Sequence, residues 1–424
     1  MEREAINKAV ELTETEIAPY HQQVQTIVEA NQRKVLNAFQ KHQVSDTHFN
    51  PTTGYGYDDL GREVLERVFA DVFGTEDALV RPQIISGTHA ITLSLFGVLR
   101  PGDELLYITG KPYDTLEEIV GVRGEGKGSL KDFQIHYQHI DLKENGYVDY
   151  DMVKESIHEH TKMIAIQRSK GYDNRPSFTV QEMREMIDFV KSMNPRCIVF
   201  VDNCYGEFVE LDEPTDIGAD LMAGSLIKNP GGGLAKTGGY IVGRQHLIEK
   251  CASRLTAPGL GKEAGATLYS LQEMFQGLFM APHIVGESLK GAIFTSRILE
   301  KCGFHTKPSY KEWRTDLIQS VNFPDEEMMV AFCQAIQKAS PINSHVVPYP
   351  SPMPGYEHDV IMAAGTFVQG ASIELSADGP IRPPYTAYIQ GGLTYEHVKI
   401  AVISAIETMV EKGFDISFTQ SVSG

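Results

Sequence analysis

Short apolar runs alternate with longer segments of helical periodicity along most of the chain. Runs such as residues 104–108 and 197–201 are hydrophobic with little alternation, which is typical of strands buried on both faces of a sheet. Residues 60–72 place apolar side chains at helical spacing, and Asp58 or Asp59 precedes them as a candidate N-terminal cap. The pattern predicts an α/β fold in which helices cover both faces of a mostly parallel sheet.

The character of the chain changes near residue 50 and again near residue 285. Residues 1–50 are polar and helical, and they predict an N-terminal helical arm. Residues 51–285 carry the alternating strands and helices, and they predict a large domain. Residues 286–424 begin in a long helix and continue with mixed strands, helices and proline-rich loops, which predicts a smaller C-terminal α+β domain.

The composition limits the classes of function that we expect for this chain. The chain has 424 residues and a net charge of −18, and an acidic surface repels nucleic acid. Its five cysteines include no CxxC pair, so we expect reduced thiols in a cytoplasmic protein, with neither a disulfide framework nor a zinc cluster. The N-terminus is charged from its second residue, unlike a secretion signal, and no apolar run approaches the roughly 18 residues of a membrane span. We therefore expect neither nucleic acid nor a membrane as a partner.

Polar residues at the ends of the strands are the candidates for function, because ligands of such sheets bind outside the carboxyl ends of the strands. The stretch "IISGTHA", residues 84–90, reads as a strand that runs into a helix. Gly87 lets the backbone approach a ligand, and Ser86 and Thr88 add hydroxyl donors where the helix dipole favours a phosphate. The alternative is an ordinary helix start with Ser86 or Thr88 as its cap.

One candidate functional residue lies at the end of each of three further strands. Tyr113 follows the strand "ELLYITG". Its ring either stacks on a flat ligand or belongs to a half-buried loop residue without a role in binding. Asp202 ends the apolar strand "CIVFVD", where a carboxylate must be paired, functional or a helix cap. Lys228 follows "LMAGSL", where desolvation lowers the pKa of an amine and makes it nucleophilic, unless the side chain reaches solvent.

Together the four strand ends predict a site for pyridoxal 5′-phosphate. The lysine forms a Schiff base with this cofactor, the carboxylate keeps its ring nitrogen protonated, the aromatic residue stacks on the ring and the cradle takes the phosphate. No other single ligand needs all four groups in this order along the chain.

A second lysine, Lys236, lies behind three glycines in "GGGLAKT", which is similar to a Walker A loop. Ala235 stands where that motif needs glycine, and a strand follows where a helix should cradle the phosphates. A P-loop nucleotide-binding protein is therefore only a distant alternative. Lys228 is the residue predicted to bind the cofactor covalently, and Lys236 is the second candidate.

At these residues the chain resembles the fold-type I pyridoxal-phosphate enzymes, specifically the cystathionine and methionine lyase group of cysteine and methionine metabolism. The likeness is greatest to the branch of cystathionine β-lyase-like or methionine γ-lyase-like proteins grouped as involved in aluminium resistance. It extends over nearly the whole chain, and its specific part lies in the segments "GYGYDDLGRE", "SGTHAI", "VDNCYGEF" and "GSLIKNPGGGLAKTGGYI". The resemblance implies the fold of that class, with residues 51–285 as the cofactor-binding domain.

The resemblance also implies roles for individual residues. Ser225, three positions before the lysine, contacts the phosphate, and Tyr113 stacks on the ring. Tyr55 or Tyr57 reaches the phosphate of a neighbouring subunit, which implies a homodimer or, more usually, a homotetramer with shared sites.

The segment "QRSKGYDNRPS", residues 167–177, departs from the family pattern, and Arg168 and Ser169 are candidates for the contact to the cofactor's ring oxygen. The substrate carboxylate needs a guanidinium, for which Arg382 is the candidate and Arg175 the alternative.

The resulting expectation is a carbon–sulfur lyase that acts on a sulfur amino acid by β- or γ-elimination. Lys228 takes the Cα proton and Tyr113 donates a proton to the leaving group. The alternatives are another reaction on the same cofactor, such as that of an aminotransferase, a decarboxylase or a cysteine desulfurase, and a cofactor-binding protein without turnover.

Overall fold

A computed structural model describes residues 2–125, 127–353 and 356–416 of the chain. Its α-helices are α1 (Glu2–Lys41), α2 (Leu60–Val72), α3 (Gly87–Val98), α4 (Glu117–Val120), α5 (Tyr150–Ser156), α6 (Val180–Met193), α7 (Gln245–Leu255), α8 (Leu271–Lys301), α9 (Glu326–Lys338) and α10 (Tyr395–Glu411). Its strands are β1 (Asp77–Arg81), β2 (Glu104–Tyr107), β3 (His136–His139), β4 (Thr161–Gln167), β5 (Ile198–Asp202), β6 (Leu221–Ser225), β7 (Gly239–Gly243), β8 (His305–Lys307), β9 (Gln319–Asn322), β10 (Val360–Ala363), β11 (Ser376–Pro380) and β12 (Thr386–Gln390).

The first seven strands form one sheet in the order β1-β7-β6-β5-β4-β2-β3. Only β7 runs antiparallel to its neighbours β1 and β6 in this sheet, and the remaining pairs are parallel. The strands β2, β5, β6 and β7 are buried along their whole length, as their continuous apolar runs predict. The predicted mostly parallel sheet is confirmed.

The chain divides into two compact units. Residues 31–279 form one of them and contain the seven-stranded sheet. The other unit joins residues 1–30 to residues 280–424 and contains the remaining five strands. The sequence-based limits at about residues 50 and 285 stay an interpretation of where domains begin and end.

The second unit contains an antiparallel sheet in the order β10-β11-β12-β9-β8, and its helices α9 and α10 pack against each other. Its buried apolar side chains come from α1, α8, α9, α10 and the inner strands. Within the described residues no helix has the length and apolar character needed to cross a membrane.

Helix caps fix two of the elements that border the large sheet. Asp59 accepts a hydrogen bond from the backbone amide of Arg62 at 2.9 Å and begins α2, in agreement with the sequence pattern. Ser86 accepts from the backbone amide of His89 at 3.0 Å and begins α3. The expectation that a strand extends to this point is wrong, because β1 ends at Arg81 and a turn covers the five residues before α3. The loop after β1 therefore lies outside the ladder, and the amides of Ile84 and Ile85 donate instead to the Arg81 carbonyl and to His89 Nδ1.

Candidate functional site

A cavity of about 170 Å³ lies at the carboxyl ends of the strands in residues 31–279. This is the position at which α/β sheets bind ligands. The predicted residues that line it are Ser86, Gly87, Thr88, Tyr113, Ser169, Asp202, Ser225 and Lys228. The structure therefore brings candidates from four strand ends to one place, while their chemical roles remain predictions.

One wall of the cavity is the N-terminus of α3. The unpaired amides and the dipole of this 12-residue helix favour an anion. A Cβ atom on Gly87 would lie 3.0 Å from Cys204 Sγ and 3.4 Å from Ser225 Cβ, so a side chain at this position would crowd both neighbours. Thr88 Oγ1 lies 3.3 Å from Thr115 Oγ1, and both residues line the cavity. The wall can take a phosphate against backbone amides and hydroxyls.

A second wall is the ring of Tyr113, which packs against the hydrophobic core beneath the sheet. Gly171 has φ +58°, and a Cβ atom there would lie 2.8 Å from the Tyr113 ring, so the loop presses its backbone against the aromatic face. Tyr172 contacts the same ring edge-on, with centroids 6.3 Å apart. Tyr113 is held in place by its neighbours and can serve as a stacking surface.

Lys228 lies three residues beyond β6, and its Nζ lies 3.6 Å from the ring centroid of Tyr205. Tyr205 has φ +74°, a left-handed backbone that is uncommon for residues other than glycine and typical of functional sites. Burial lowers the pKa of Lys228, but the neighbouring Tyr205, Cys204 and Asp202 outweigh it and the pKa lies above its ordinary value. The direction is therefore opposite to the lowered pKa expected from the sequence.

Asp202 is the last residue of β5 and is 8% exposed. Its Oδ1 accepts a hydrogen bond from the backbone amide of Cys204 at 3.1 Å. Burial raises the pKa of Asp202, and the hydrogen bonds from Cys204 with the charges of Lys228 and Arg175 only partly oppose this. A cationic ligand group beside this carboxyl would favour its ionised form.

Behind the cavity lies a buried group of polar side chains that the sequence did not reveal. Glu207 is fully buried, and Tyr240 donates a hydrogen bond to its Oε1 at 2.7 Å. A Cβ atom on Gly224 would lie 2.5 Å from the same oxygen, so this glycine of β6 leaves room for the carboxyl. Burial raises the pKa of Glu207 to about 8, and Asn229, next to Lys228, donates to its backbone carbonyl at 3.0 Å.

Arg168 and Arg175 both lie outside the cavity lining. Arg168 is fully buried and donates to Asn203 Oδ1 at 2.8 Å and to Glu210 Oε1 at 3.0 Å. Arg175 donates to the backbone carbonyls of the strand end and loop, namely those of Gln167, Ser169 and Pro176. Both guanidinium groups hold the chain in place around the site, and of the two candidates for the ring oxygen only Ser169 borders the cavity.

Tyr55 and Tyr57 lie outside the cavity lining and are 71% and 52% exposed. Their rings stack with centroids 5.3 Å apart. Gly265 donates to the Tyr55 carbonyl at 2.8 Å, and the buried Arg62 donates to the carbonyls of Gly56 and Gly265, so this loop is fixed to its neighbour. The stacked pair is exposed and accessible to a second chain.

The remaining two predicted residues are separate from this cavity. Lys236 is exposed and forms an ion pair with Glu273, and the segment after it enters β7, not a helix. Arg382 is exposed in the turn between β11 and β12, within the unit that contains residues 280–424. The role of Arg382 in binding a substrate carboxylate stays a prediction.

Several lining residues were missed by the sequence reasoning: Thr115, Gln167, Gly171, Cys204 and Tyr205. Cys204 and Tyr205 lie two and three residues beyond Asp202, the end of β5, and Gln167 is the last residue of β4. The strand-end rule that found Asp202 applies to these positions too, so the signal was present for three of the five.

Residues 6–410 match the family model described as "Methionine gamma-lyase". The chain is 68% identical over 410 residues to protein YnbB of Bacillus subtilis, covering 96% of this chain and 97% of that protein. It is 63% identical to a Listeria monocytogenes protein of solved structure, provisionally described as a cystathionine β-lyase involved in aluminium resistance. That comparison has a TM-score of 0.94 and covers 95% of this chain and 99% of the other.

A more distant likeness extends to the pyridoxal-5′-phosphate-dependent protein YhfS of Escherichia coli, with a TM-score of 0.60 and 16% identity. It covers 90% of this chain and 97% of the other. At this identity the match shows the fold alone, which is that of fold-type I enzymes, as the sequence resemblance implied.

Proposed function

We propose, because the chain belongs to the methionine gamma-lyase family, that it is a pyridoxal-phosphate-dependent carbon–sulfur lyase acting on a sulfur amino acid. The main support for this function is that Lys228, Asp202 and the N-terminus of α3 line one cavity. These are an amine, a buried carboxyl and an anion cradle, which match the aldehyde, the ring nitrogen and the phosphate of that cofactor.

The residues fit the cofactor on two further grounds. Asp202 is a buried carboxyl at the cavity wall whose pKa is raised by burial, and a pyridinium nitrogen is the cation that would favour its ionised form. Gly87 leaves a space beside Ser225 that any side chain would fill, as a phosphate cradle requires. When bound, the cofactor supplies an electron sink for charge that develops at the substrate's Cα.

The chain's own residues would perform the proton transfers. Lys228 would carry the cofactor and, once released by the substrate amine, accept the Cα proton at its Nζ. Tyr113, positioned by Gly171, would stack on the ring and donate its hydroxyl proton to the departing sulfur. The products of such an elimination are a thiol, ammonia and a keto acid.

Two finer assignments belong to the same proposal. Tyr55 and Tyr57, stacked and exposed, would complete the phosphate site of a second copy, so the active form would be a homodimer or homotetramer. Arg382 would bind the substrate carboxylate through its forked guanidinium. We also propose that the protein works in the cytoplasm, which suits its five free cysteines.

The test is turnover by the purified, cofactor-loaded protein with cystathionine, methionine and cysteine in turn. We expect at least one to give a keto acid and ammonia in equal amounts without an added keto-acid acceptor. Turnover that needs an acceptor and releases no ammonia would assign the protein to the aminotransferases. Lys228→Ala should lose this turnover, while Lys236→Ala, at the exposed lysine eight positions on, serves as the matched control.

A further inference from the structure

The aromatic ring of Tyr205 lies against the amine of Lys228. The Nζ atom is 3.6 Å from the ring centroid, and both half-buried side chains line the cavity. A cation within roughly 6 Å of a ring centroid is attracted to the electron-rich face of the ring. Lysine carries its amine on a flexible four-carbon stem, so this contact selects one of many available directions for the side chain.

The turn that carries Tyr205 holds the ring in this position. A φ of +74° is unfavourable for a bulky side chain and persists only where the surroundings fix it. The Gly206 amide donates to the Asn203 carbonyl at 2.9 Å, and the Asn203 side chain accepts from Arg168 at 2.8 Å and donates to Glu213 at 2.9 Å. A Cβ atom on Gly206 would lie 2.5 Å from Arg168 Cδ, so the turn packs tightly on that side chain. An unfavourable conformation that is fixed in this way indicates a function for its side chain.

A hydrogen bond also ties this turn to the residue that follows Lys228. Asn229 Nδ2 donates to the Glu207 carbonyl at 3.0 Å, and both residues are fully buried. The backbone at Tyr205 and the backbone at Lys228 therefore keep their relative position. Any movement between the ring and the amine is left to the lysine side chain.

Of the groups around the Lys228 amine, Tyr205 is the one that keeps its attraction for a cation when the cofactor is bound. Burial lowers the pKa of Lys228, and Tyr205 is the foremost of the neighbours that raise it, ahead of Cys204 and Asp202. The Cys204 thiol stays neutral, because burial and the charge of Asp202 raise its pKa well above the ordinary value. In the proposed function the charge of Asp202 is compensated by the ring nitrogen of the cofactor.

We propose that the ring face of Tyr205 holds the protonated amine of Lys228 after this amine has taken the Cα proton of the substrate. The amine is neutral when the substrate displaces it. The Cα–H bond then breaks, its electron pair passes to the cofactor, and the proton forms an N–H bond at Nζ, so Lys228 becomes a cation in a half-buried site. The ring face stabilises that cation and keeps it beside the substrate. Tyr205 is thus a positioning residue that acts through Lys228, and its role rests on the proposed function.

The first test measures Lys228 in the full-length protein without cofactor, so it needs neither substrate nor turnover. Limiting acetic anhydride acetylates neutral amines, and peptide mapping gives the rate at Lys228 as a function of pH, with the exposed Lys236 as internal standard. Tyr205→Leu removes the ring and should lower the midpoint of this profile by about one pH unit. Tyr205→Phe keeps the ring face and should stay close to wild type. The midpoint is compared because easier access of the reagent changes only the plateau.

Two further variants separate the contact with Lys228 from folding. Tyr147→Leu makes the same substitution at an exposed position outside the cavity lining and should keep the wild-type midpoint. Tyr205→Gly removes the ring but suits the left-handed backbone. It should show the lowered midpoint too, and it takes the place of Tyr205→Leu if that variant does not fold.

The second test uses the cofactor-loaded protein. Tyr205→Leu should lower kcat about tenfold with little change in KM, because the contact with the protonated amine is made only after the substrate has bound. Tyr205→Phe should keep kcat close to that of wild type.

An unchanged midpoint in Tyr205→Leu would overturn the inference while leaving the proposed function standing. A midpoint lowered as far in Tyr205→Phe would do the same, because it would assign the effect to the hydroxyl group. A lowered midpoint with unchanged kcat would also overturn it, since the contact would then have no part in the reaction. A wild-type protein that binds no cofactor on Lys228 is a separate outcome, because it overturns the proposed function and this inference with it.

Discussion

Glu207 is predicted to be a neutral acid in the folded protein, so replacing it with glutamine should stabilise the fold increasingly as the pH rises. The side chain is fully buried, it accepts from Tyr240 through Oε1, and Oε2 has no partner among the described residues. The nearby guanidinium of Arg168 forms its ion pairs with Glu210 and Glu213. Burial therefore raises the pKa of Glu207 to about 8, from an ordinary value of 4.5.

The magnitude follows from the two pKa values. Below the pKa of Glu207 in the unfolded chain, the folded and unfolded states both hold the proton. In that range the residue does not change the pH dependence of the free energy of unfolding. Between about pH 4.5 and pH 8 only the folded state holds it, so the free energy of unfolding falls by about 1.4 kcal/mol per pH unit. Above about pH 8 both states are ionised and the loss stays at about 5 kcal/mol. Glu207→Gln keeps the shape and removes the titration, so this loss should be absent from the variant.

The measurement is urea unfolding of wild type and Glu207→Gln at matched protein and cofactor concentrations, from about pH 5 to about pH 8. The difference in unfolding free energy should grow in favour of the variant by roughly 3–4 kcal/mol across that range. A difference that stays constant with pH would refute the reasoning, because it would mean that Glu207 is ionised in the folded protein.

Glu213→Gln is the matched control, since this glutamate is also buried but contacts a cation. Its carboxylate lies 3.5 Å from Arg168 Nη1 and accepts from Asn203 Nδ2 at 2.9 Å. Neutralising one member of a buried ion pair leaves the other uncompensated, at a cost of about 3–5 kcal/mol. Glu213→Gln should therefore destabilise the protein where Glu207→Gln does not.

The remaining predictions concern the site. Borohydride reduction and peptide mapping should find the cofactor adduct on Lys228, and an adduct on Lys236 would contradict the assignment. Asp202→Asn should lower kcat by about a hundredfold or more while the cofactor still binds, since a neutral amide does not hold the ring nitrogen protonated; near-normal kcat would exclude the role. Tyr55→Ala with Tyr57→Ala should weaken cofactor binding about tenfold or more in equilibrium dialysis, as expected of lost phosphate contacts; a fully active monomer in sedimentation would rule out a shared site.

The sequence predicted the large sheet and the place of the cavity because both depend on local signals. Continuous apolar runs mark buried parallel strands, and the residues that follow them must gather at one edge of the sheet. That rule selected Tyr113, Asp202 and Lys228, which line one cavity, and the resemblance added Ser225. The four strand ends together also predicted the cofactor, whereas the reaction type came from the resemblance; both remain to be tested.

Other features depend on contacts that no local pattern encodes. Glu207 lies in a turn-rich segment for which the sequence predicted no buried carboxyl, and its partner Tyr240 lies 33 positions further along the chain. Arg168 was predicted as a candidate for the contact to the cofactor's ring oxygen, but its guanidinium bonds to Asn203 and Glu210 and lies outside the cavity lining. The raised pKa of Lys228 likewise results from three neighbours that were not predicted to surround it together.

The division of the chain has a consequence for how the protein is made. Residues 31–279 form a contiguous unit, whereas residues 1–30 belong with residues 280–424. At ribosomal rates of about 5–20 residues per second, the first segment waits roughly 10–50 s for its partners to be synthesised. Throughout that interval Ile6, Ile17 and Val24 have nothing to pack against, although all three are buried in the finished fold. Residues 1–30 are therefore placed only after the chain beyond residue 280 is made, and a nascent chain stalled before that point presents the apolar face of this helix to chaperones.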